Sequence, residues 1–181
     1  MEFVKYTISE LAQEIKTGKT PSSSNLQYFN GDITWLTPSD LKGQKVVKDS
    51  ERSLSELALQ DKQAFLYKPG TVLISTIGEI GKACIIEKPS ASNQQLTGIL
   101  VKDDIILPEL FFYWIQRSKV LLKNKANKMI LPILNNKLLK KIEISFPKNE
   151  QEQIKIIGRL NKIQDLINKR VDTIKLLYPS Q

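Results

Sequence analysis

The sequence predicts an α+β domain built from small mixed sheets, followed by one long C-terminal helix. The strand-like runs of the first 148 residues are short, and turn residues separate them. They do not alternate regularly with helices, so a doubly wound parallel sheet is not expected. Residues 149–178, in contrast, carry an apolar repeat that only Arg170 interrupts and contain no proline, which is typical of a single long helix.

The first part of the domain is predicted to open with a helix. Thr7 and Glu10 have the spacing of a capping box, and apolar residues at helical intervals follow as far as Ile15, before Gly18. Turn-forming residues then predict a loop at 20–25 and a turn at Asn30–Asp32. The remaining predicted elements are short strands at Ile33–Leu36 and Val46–Val47 and a short helix at Ser53–Leu59.

The second part contains the clearest strand of the sequence. Thr71–Ile77 is rich in β-branched residues and follows a Pro-Gly turn, and Gly78–Lys82 interrupts it with two glycines suited to a tight turn. Pro108 begins a helix that extends through Leu122. The other predicted elements are strands at Ala83–Ile86, Gln95–Val101 and Ile142–Phe146, a loop at Lys125–Pro132 and a short helix from Asn135 or Asn136.

The C-terminal segment is predicted to be one helix from Glu150 to Leu177. Asn149 and Glu152 have cap-and-acid spacing at its start, and 28 residues of helix are about 42 Å long. Alternating steps of three and four residues between apolar positions are typical of a coiled coil, whereas the alternative is an amphipathic helix folded against its own domain. The coiled coil is preferred because the helix outreaches a domain of this size. The predicted dimerisation residues are Ile156, Leu160, Ile163, Ile167, Ile174 and Leu177.

Composition excludes several classes of function. The 181 residues include no histidine, which removes histidine triads and two-histidine metal sites, and no metal or cofactor is predicted. A single cysteine, Cys84, fits a reducing cytoplasm. The longest apolar run, Leu110–Ile115, is too short to cross a membrane, and the N-terminus lacks the features of a secretory signal. A cytoplasmic protein is therefore expected.

The net charge of +8 is concentrated in one segment. From Leu110 to Ile142 there is no acidic residue, and outside this segment 19 basic residues balance 19 acidic ones. Several cations on one face of a protein favour a polyanionic partner, although lysines that only maintain solubility are the alternative. The basic residues of the segment are Arg117, Lys119, Lys123, Lys125, Lys128, Lys137, Lys140 and Lys141.

Several short segments follow one another in a characteristic order and spacing along almost the whole chain. They are Gly18–Ser22, Gly31–Leu41, Gly70–Ser75, Gly78–Lys82, Ser92–Gln95 and Ile144–Pro147, with Glu152 and Gln153. Each segment is weakly specific, but together they resemble one half of the DNA specificity subunit of type I restriction-modification systems.

The resemblance implies a target recognition domain at residues 1–148 and a spacer or dimerisation helix at 149–178. In this family two such domains, held apart by antiparallel helices, each read half of an interrupted site. Modification subunits dock on them and methylate adenine, and restriction subunits are added for cleavage. This chain has one domain and one helix, so it is expected to act as a homodimer or to pair with a second specificity half.

The sequence therefore predicts a non-catalytic subunit that binds double-stranded DNA and directs a separate adenine methyltransferase. Lysines of the basic segment are expected to contact phosphates. The amides of 93–94 suit base edges, since such groups bind adenine bidentately in the major groove. The predicted phosphate contacts are Lys119, Lys123, Lys125 and Lys128. The predicted groove contacts are Lys19, Ser22, Ser23, Asn25, Lys82, Asn93 and Gln94.

Three other functions fit parts of the sequence. The first is a small metal-dependent nuclease that uses Asp32, Asp40 and Lys42. The second is a protein-binding adaptor whose coiled coil is its whole function. The third is a stand-alone repressor, which shares the DNA contacts but needs no methyltransferase.

Overall fold

The computed structural model describes residues 1–126 and 132–177, and in these ranges the protein has the predicted α+β fold. Short strands form three small sheets, and a long helix follows them. The strands are β1 (Phe3–Thr7), β2 (Ala12–Thr17), β3 (Phe29–Leu36), β4 (Val46–Val47), β5 (Ser53–Leu54), β6 (Val72–Ser75), β7 (Ala83–Ile86), β8 (Ala91–Ser92), β9 (Leu96–Val101) and β10 (Glu143–Pro147). The helices are α1 (Ile8–Leu11), α2 (Glu56–Gln60), α3 (Pro108–Arg117), α4 (Lys119–Lys125), α5 (Asn136–Lys140) and α6 (Glu150–Leu177).

The largest sheet has the strand order β2-β9-β6-β7-β4. Its pairs are antiparallel except for β4, which runs parallel to β7. Helix α3 packs on β6 and β7 and completes the main core, because its apolar face covers the β-branched side chains of the sheet. Val72 and Ile74 of the sheet and Phe111 and Ile115 of the helix are fully buried there.

Two smaller sheets flank the central one. Strand β3 pairs with β5 and β8 around a second core, in which Trp35 is buried. Strand β1 pairs antiparallel with β10, which brings the N-terminus beside the start of α6. Within the described ranges no helix combines the length and the apolar character that a membrane crossing requires.

The predicted opening helix is wrong in its second half. The Thr7–Glu10 capping box is present, and the hydrogen bonds from Thr7 lower the pKa of the Glu10 carboxyl. The helix nevertheless ends at Leu11, and Ala12–Thr17 pair with β9 as strand β2. A long-range strand pairing therefore overrides a local helical pattern that continues to Ile15.

Other local predictions also differ from the structure. The predicted turn at Asn30–Asp32 lies inside β3, where Asn30 adopts a left-handed conformation and the pairing with β5 shifts register. The predicted helix at Ser53–Leu59 is divided into β5 and α2, because Ser53 pairs with Thr34 of β3. The predicted helix from Pro108 through Leu122 breaks at Ser118, between α3 and α4.

Candidate DNA interface

Several of the predicted contact segments meet at one end of the central sheet. Three connections lie there, one after β2, one before β9 and one between β6 and β7. The main chain ties them together, since the Gly18 N–H donates to Leu96 O (2.9 Å) and the Thr76 N–H to Gln95 O (2.9 Å). We call this surface the sheet end and define it by residues 18–20, 76–82 and 93–95. Strands position these segments, so their relative geometry depends on the sheet.

Gly18 allows two of these segments to approach each other. A Cβ atom at this position would lie 2.2 Å from Asn93 O and 2.5 Å from Ser92 O. Any side chain would therefore separate the segment after β2 from the segment before β9.

Lys19, Thr20 and Gln94 lie side by side on the sheet end. The Thr20 hydroxyl donates to the side-chain oxygen of Gln94, and Lys19 Nζ donates to Lys62 O (3.2 Å). Together with Lys62 and Gln63 they line a shallow groove of about 420 Å³. An open groove lined by amides and ammonium groups offers donors to both phosphates and base edges.

Asn93 occupies a different environment from its neighbour Gln94. It is buried, its Oδ1 accepts from the Gln95 N–H (3.1 Å) and its Nδ2 donates to Gln95 Oε1 (2.9 Å). Gln94 is exposed. Within this pair the Gln94 amide is accessible from solvent, whereas the Asn93 amide holds the connection in shape.

The predicted contacts at 22–25 lie in the loop that continues from Thr20. The hydroxyls of Ser22 and Ser24 are 2.7 Å apart, and the Asn25 N–H donates to Ser22 O (3.2 Å). Ser22 and Ser23 are exposed, whereas the Asn25 side chain accepts from the Gln27 N–H (3.1 Å) and caps a short 3₁₀ turn. The loop therefore presents hydroxyl groups, and Asn25 fixes where it ends.

Lys82 and Lys119 line one small groove beside the glycine turn between β6 and β7. Gly78 and Gly81 have the positive φ angles that the sequence predicts for this turn. Lys82 pairs with Glu79 (3.0 Å), and Lys119 passes close enough that a Cβ atom on Gly81 would lie 3.0 Å from its Cγ. Helix α4 therefore begins at the sheet end.

Two further predicted phosphate contacts continue along α4. Lys123 and Lys125 are exposed there. The pairing of Ile77 with Ile133 places residues 132–134 against the same end of the sheet. Lys128 lies outside the described residues.

The predicted nuclease residues do not assemble a metal site in the described part of the chain. No group of three acidic, histidine or cysteine side chains converges there. The Asp40 carboxylate instead accepts hydrogen bonds from Thr37 N (2.8 Å), Thr37 Oγ1 (2.8 Å) and Glu51 N (2.9 Å), which organises its own loop. Cys84 is buried in the core, and burial raises the pKa of its thiol to about 12, so a reactive thiolate is not available there.

Helix α6 packs on the domain through its first three turns. We call residues 150–161 its inner half and residues 162–177 its outer half. Gln153 is buried, and its side chain accepts from Leu107 N (2.9 Å) and donates to Ile105 O (3.0 Å) and Pro147 O (3.0 Å). Ile157 joins the main core, and Asn161 contacts α3. The helix is therefore docked through residues at four-residue intervals, and Ile156 beside them also packs against the core.

The predicted dimerisation residues follow a different row. Ile156 is half-buried and packs against the main core of its own domain, which differs from its predicted role in dimerisation. Leu160 is half-buried, whereas Ile163, Ile167, Ile174 and Leu177 are between 49% and 68% exposed. At 100° per residue, this apolar row lies about 140° around the helix from the row that includes Asn161, Asp165 and Asn168. The latter row faces the loop at 42–45 across a groove. The outer half thus turns polar side chains toward its own domain and apolar ones away from it.

Comparison with known proteins identifies the family. Residues 1–176 match the model of the type I restriction modification DNA specificity domain. The chain belongs to this family. The match covers both the domain that carries the sheet end and almost all of α6, so the resemblance noted in the sequence is confirmed.

Individual relatives agree with the assignment. The chain is 31% identical over 162 residues to the type I restriction enzyme MjaIX specificity subunit of Methanocaldococcus jannaschii, which covers 87% of this chain and 37% of the relative. The HsdS subunit from Thermoanaerobacter tengcongensis has a similar fold, with a TM-score of 0.69 at 20% identity over 93% of this chain and 39% of that one. A chain from a structural study of assembly and conformational transition in a type I R-M system has a TM-score of 0.74 at 19% identity. The match covers 92% of this chain and 39% of that one. The chain thus spans about two fifths of these relatives.

Some residues of the site were not predicted from the sequence. Lys62 and Gln63 complete the groove beside Gln94, but they lie more than forty positions from Lys19 and follow a helix with no nucleic-acid motif. Gln153 and Asn161 dock α6, and both are polar residues within an apolar repeat. The four-residue spacing from Gln153 through Ile157 to Asn161 is the sequence signal that could have identified this docking face.

Proposed function

We propose that this chain is the DNA-reading half of a type I specificity subunit, with a recognition domain at 1–148 and a spacer helix at 149–178. The domain binds one half of a bipartite site in double-stranded DNA. The helix pairs with a second copy, or with another specificity half. The assembly directs a separate adenine methyltransferase to the site, and the chain itself is not catalytic.

The observation that carries this proposal is the convergence of the Lys19–Gln94 groove, the Lys82 turn and the start of α4 at one sheet end. Loops on a rigid sheet can differ in sequence while the sheet holds them in register, which suits a domain that reads bases. Helix α4 begins beside these loops, and we assign phosphate contacts that set the register on the duplex to its residues Lys119, Lys123 and Lys125. Family membership supports the same role.

The outward-facing apolar row of α6 supports pairing through the helix. A helix folded against its own domain buries its apolar side, but in the outer half the apolar side is the exposed one. Two helices of about 42 Å paired antiparallel would separate the two domains by roughly that length. One turn of duplex is about 34–36 Å, so both domains could face the same side of the DNA. Two-fold symmetry then predicts a palindromic bipartite site.

The proposed partners follow from the family. Specificity subunits of type I systems work with modification and restriction subunits, and a similar chain comes from a study of how such a complex assembles. We assign the same modification partner to this chain, with the restriction subunit added for cleavage. Co-purification with a methyltransferase separates this assignment from a stand-alone repressor.

The salt dependence of DNA binding tests the interface. In the double variant Lys123→Ala/Lys125→Ala, affinity for duplex DNA of any sequence should fall, and the slope of log K against log salt should decrease by about two per chain, because each lost phosphate contact removes about 0.9 from it. The measurement is fluorescence anisotropy of the full-length chain on a labelled duplex over a range of salt concentrations.

A matched control removes two lysines from the opposite end of the sheet. Lys68 and Lys88 are exposed and flank the far ends of β6 and β7, so Lys68→Ala/Lys88→Ala changes the net charge equally without touching the sheet end. Equal slopes in the two double variants would show that only net charge matters and would remove α4 from the interface. Failure of the unmodified chain to bind any duplex at low salt would favour the adaptor function.

A further inference from the structure

Four polar side chains meet where the central sheet, α3 and α6 come together. Lys45, just before β4, pairs with Glu109 of α3 (2.8 Å) and donates to Asn161 Oδ1 of α6 (3.1 Å). The Tyr113 hydroxyl of α3 donates to the same oxygen (2.6 Å), and Asn161 Nδ2 donates to Glu109 (3.4 Å). We call these four residues the polar cluster.

The polar cluster is directional and partly shielded from water. The Lys45 and Glu109 side chains are 30% and 41% exposed, and burial raises the pKa of Tyr113, so that its hydroxyl stays protonated and donates. Apolar contacts are non-directional and allow a helix to slide or rotate, whereas hydrogen bonds weaken steeply when their angles change. A cluster of this kind therefore resists rotation and tilting of α6 more than apolar packing does.

The position of the cluster along α6 determines what it controls. Gln153 anchors the helix at one point, and Asn161 anchors it eight residues later, about 12 Å along the axis. Two anchors on a rigid rod fix its direction. Asn161 is also the last residue of the inner half, so the outer half continues in the direction that the two anchors set.

We propose that the polar cluster sets the angle between the domain and α6, and that this angle determines the spacing between the two half-sites that a pair of these chains recognises. This inference rests on the proposed function, since it requires two domains joined through their helices. The residues of the polar cluster are positioning residues in this role, because they lie where α6 meets the domain and not at the sheet end.

The size of the effect is sufficient to select a spacing. The outer half has 16 residues and is about 24 Å long. A tilt of about 10° at Asn161 displaces its far end by about 4 Å, which is close to the rise of one base pair, about 3.4 Å. A small change in the angle at Asn161 therefore moves each recognition domain by about one base pair along the DNA.

Selection from a random duplex library tests this with the full-length chain. The unmodified protein should enrich bipartite sites of one spacing. In Asn161→Ala and Tyr113→Phe the same half-site sequences should be enriched, but the preference for the best spacing over neighbouring spacings should fall by about fivefold, the factor expected for one or two lost hydrogen bonds. Tyr113→Phe keeps the ring that packs against Phe112, so it serves as the variant that retains the fold.

The matched control is Asn168→Ala, which removes an amide from the same row of α6. Asn168 is hydrogen-bonded to Gln164 within the helix, and its variant should keep the spacing preference of the unmodified chain. Retention of that preference in both cluster variants, or its equal loss in the control, would overturn the inference while leaving the proposed function intact. Absence of any bipartite sequence in the unmodified selection would overturn the proposed function itself, together with the role in spacing.

A second measurement examines the joint without DNA. Spin labels on Lys68→Cys in the domain and Lys169→Cys in the outer half, diluted with unlabelled protein, report the distance between domain and helix within one chain. Both positions are exposed, and the native Cys84 is buried. The distance distribution should be narrow in the unmodified chain and broader in Asn161→Ala, and equal widths would contradict the proposed role of the cluster.

Discussion

The two halves of α6 are parts of one continuous helix, yet they use different faces. The inner half docks through Gln153, Ile157 and Asn161, two of which are polar. The outer half exposes its isoleucines and leucines and turns Gln164, Asp165 and Asn168 toward its own domain. A single apolar repeat runs through both halves. An apolar stripe therefore does not by itself show which face of a helix meets its own domain.

This comparison also separates two kinds of contact. The inner half is held by hydrogen bonds that fix position, and the outer half presents apolar area suited to association. Substitutions of the docking residues Gln153, Ile157 and Asn161 should therefore lower the stability of the single chain. Substitutions in the outer half should instead change only its association.

The largest expected effect is on association. Ile167→Asp/Ile174→Asp should weaken the dimer by at least about 100-fold, because each isoleucine contributes roughly 1.5–3 kcal/mol of apolar burial and a carboxylate in the interface adds a desolvation cost. Sedimentation velocity over a concentration series measures this effect. The melting temperature of the domain should stay within a few degrees of the unmodified value.

The side of the same helix that faces the domain provides the control. Gln164→Asp/Asn168→Asp adds the same two charges to the row that faces the domain, and it should leave the dimer intact. Equal dissociation in the two double variants would mean that added charge, rather than the apolar row, disrupts pairing. A monomeric unmodified chain, with and without DNA, would contradict the pairing proposal.

The next effect concerns the anchor of the inner half. Gln153→Leu should lower the free energy of unfolding by about 3 kcal/mol, because it keeps the side-chain volume but leaves the Leu107 N–H and two carbonyls without their buried partner. Urea denaturation measures it. Gln151→Leu, exposed two residues earlier, should change stability by less than about 0.5 kcal/mol. A similar small loss in both variants would show that Gln153 does not anchor the helix.

The fold contains elements that local sequence patterns determine and others that depend on partners distant in sequence. Strands β6, β7 and β9 and helix α6 follow from local patterns, and the structure confirms them. Strand β8 is two residues long and pairs parallel with the end of β3, so its formation depends on a partner distant in sequence. Strand β2 was predicted as helix for the same reason, because β9 supplies the hydrogen bonds that decide its conformation.

The candidate interface was predictable to a similar degree. Lys19, Lys82 and Gln94 were identified by motif, and the fold brings their segments to one sheet end. Asn93 and Gln94 differ in burial, since Asn93 is buried and Gln94 is exposed. Both are amides in the same connection, so the sequence alone does not show which of them is buried. Lys62 lines the groove because the tertiary fold brings it beside Lys19 and Gln94, which are distant from it in sequence. No local sequence pattern predicts this position.

The smallest expected effect lies between the two anchors of the inner half. Gly158 is exposed, and a Cβ atom there would have no heavy atom within 4 Å beyond its own helix backbone and chain neighbours. Gly158→Ala should therefore raise the free energy of unfolding by about 0.5–1 kcal/mol, because alanine loses less backbone entropy in a helix and meets no obstacle. Thermal and urea denaturation measure this gain. A loss of stability would instead mean that this point of α6 needs the freedom of glycine, so that Gln153 and Asn161 would not hold one rigid rod.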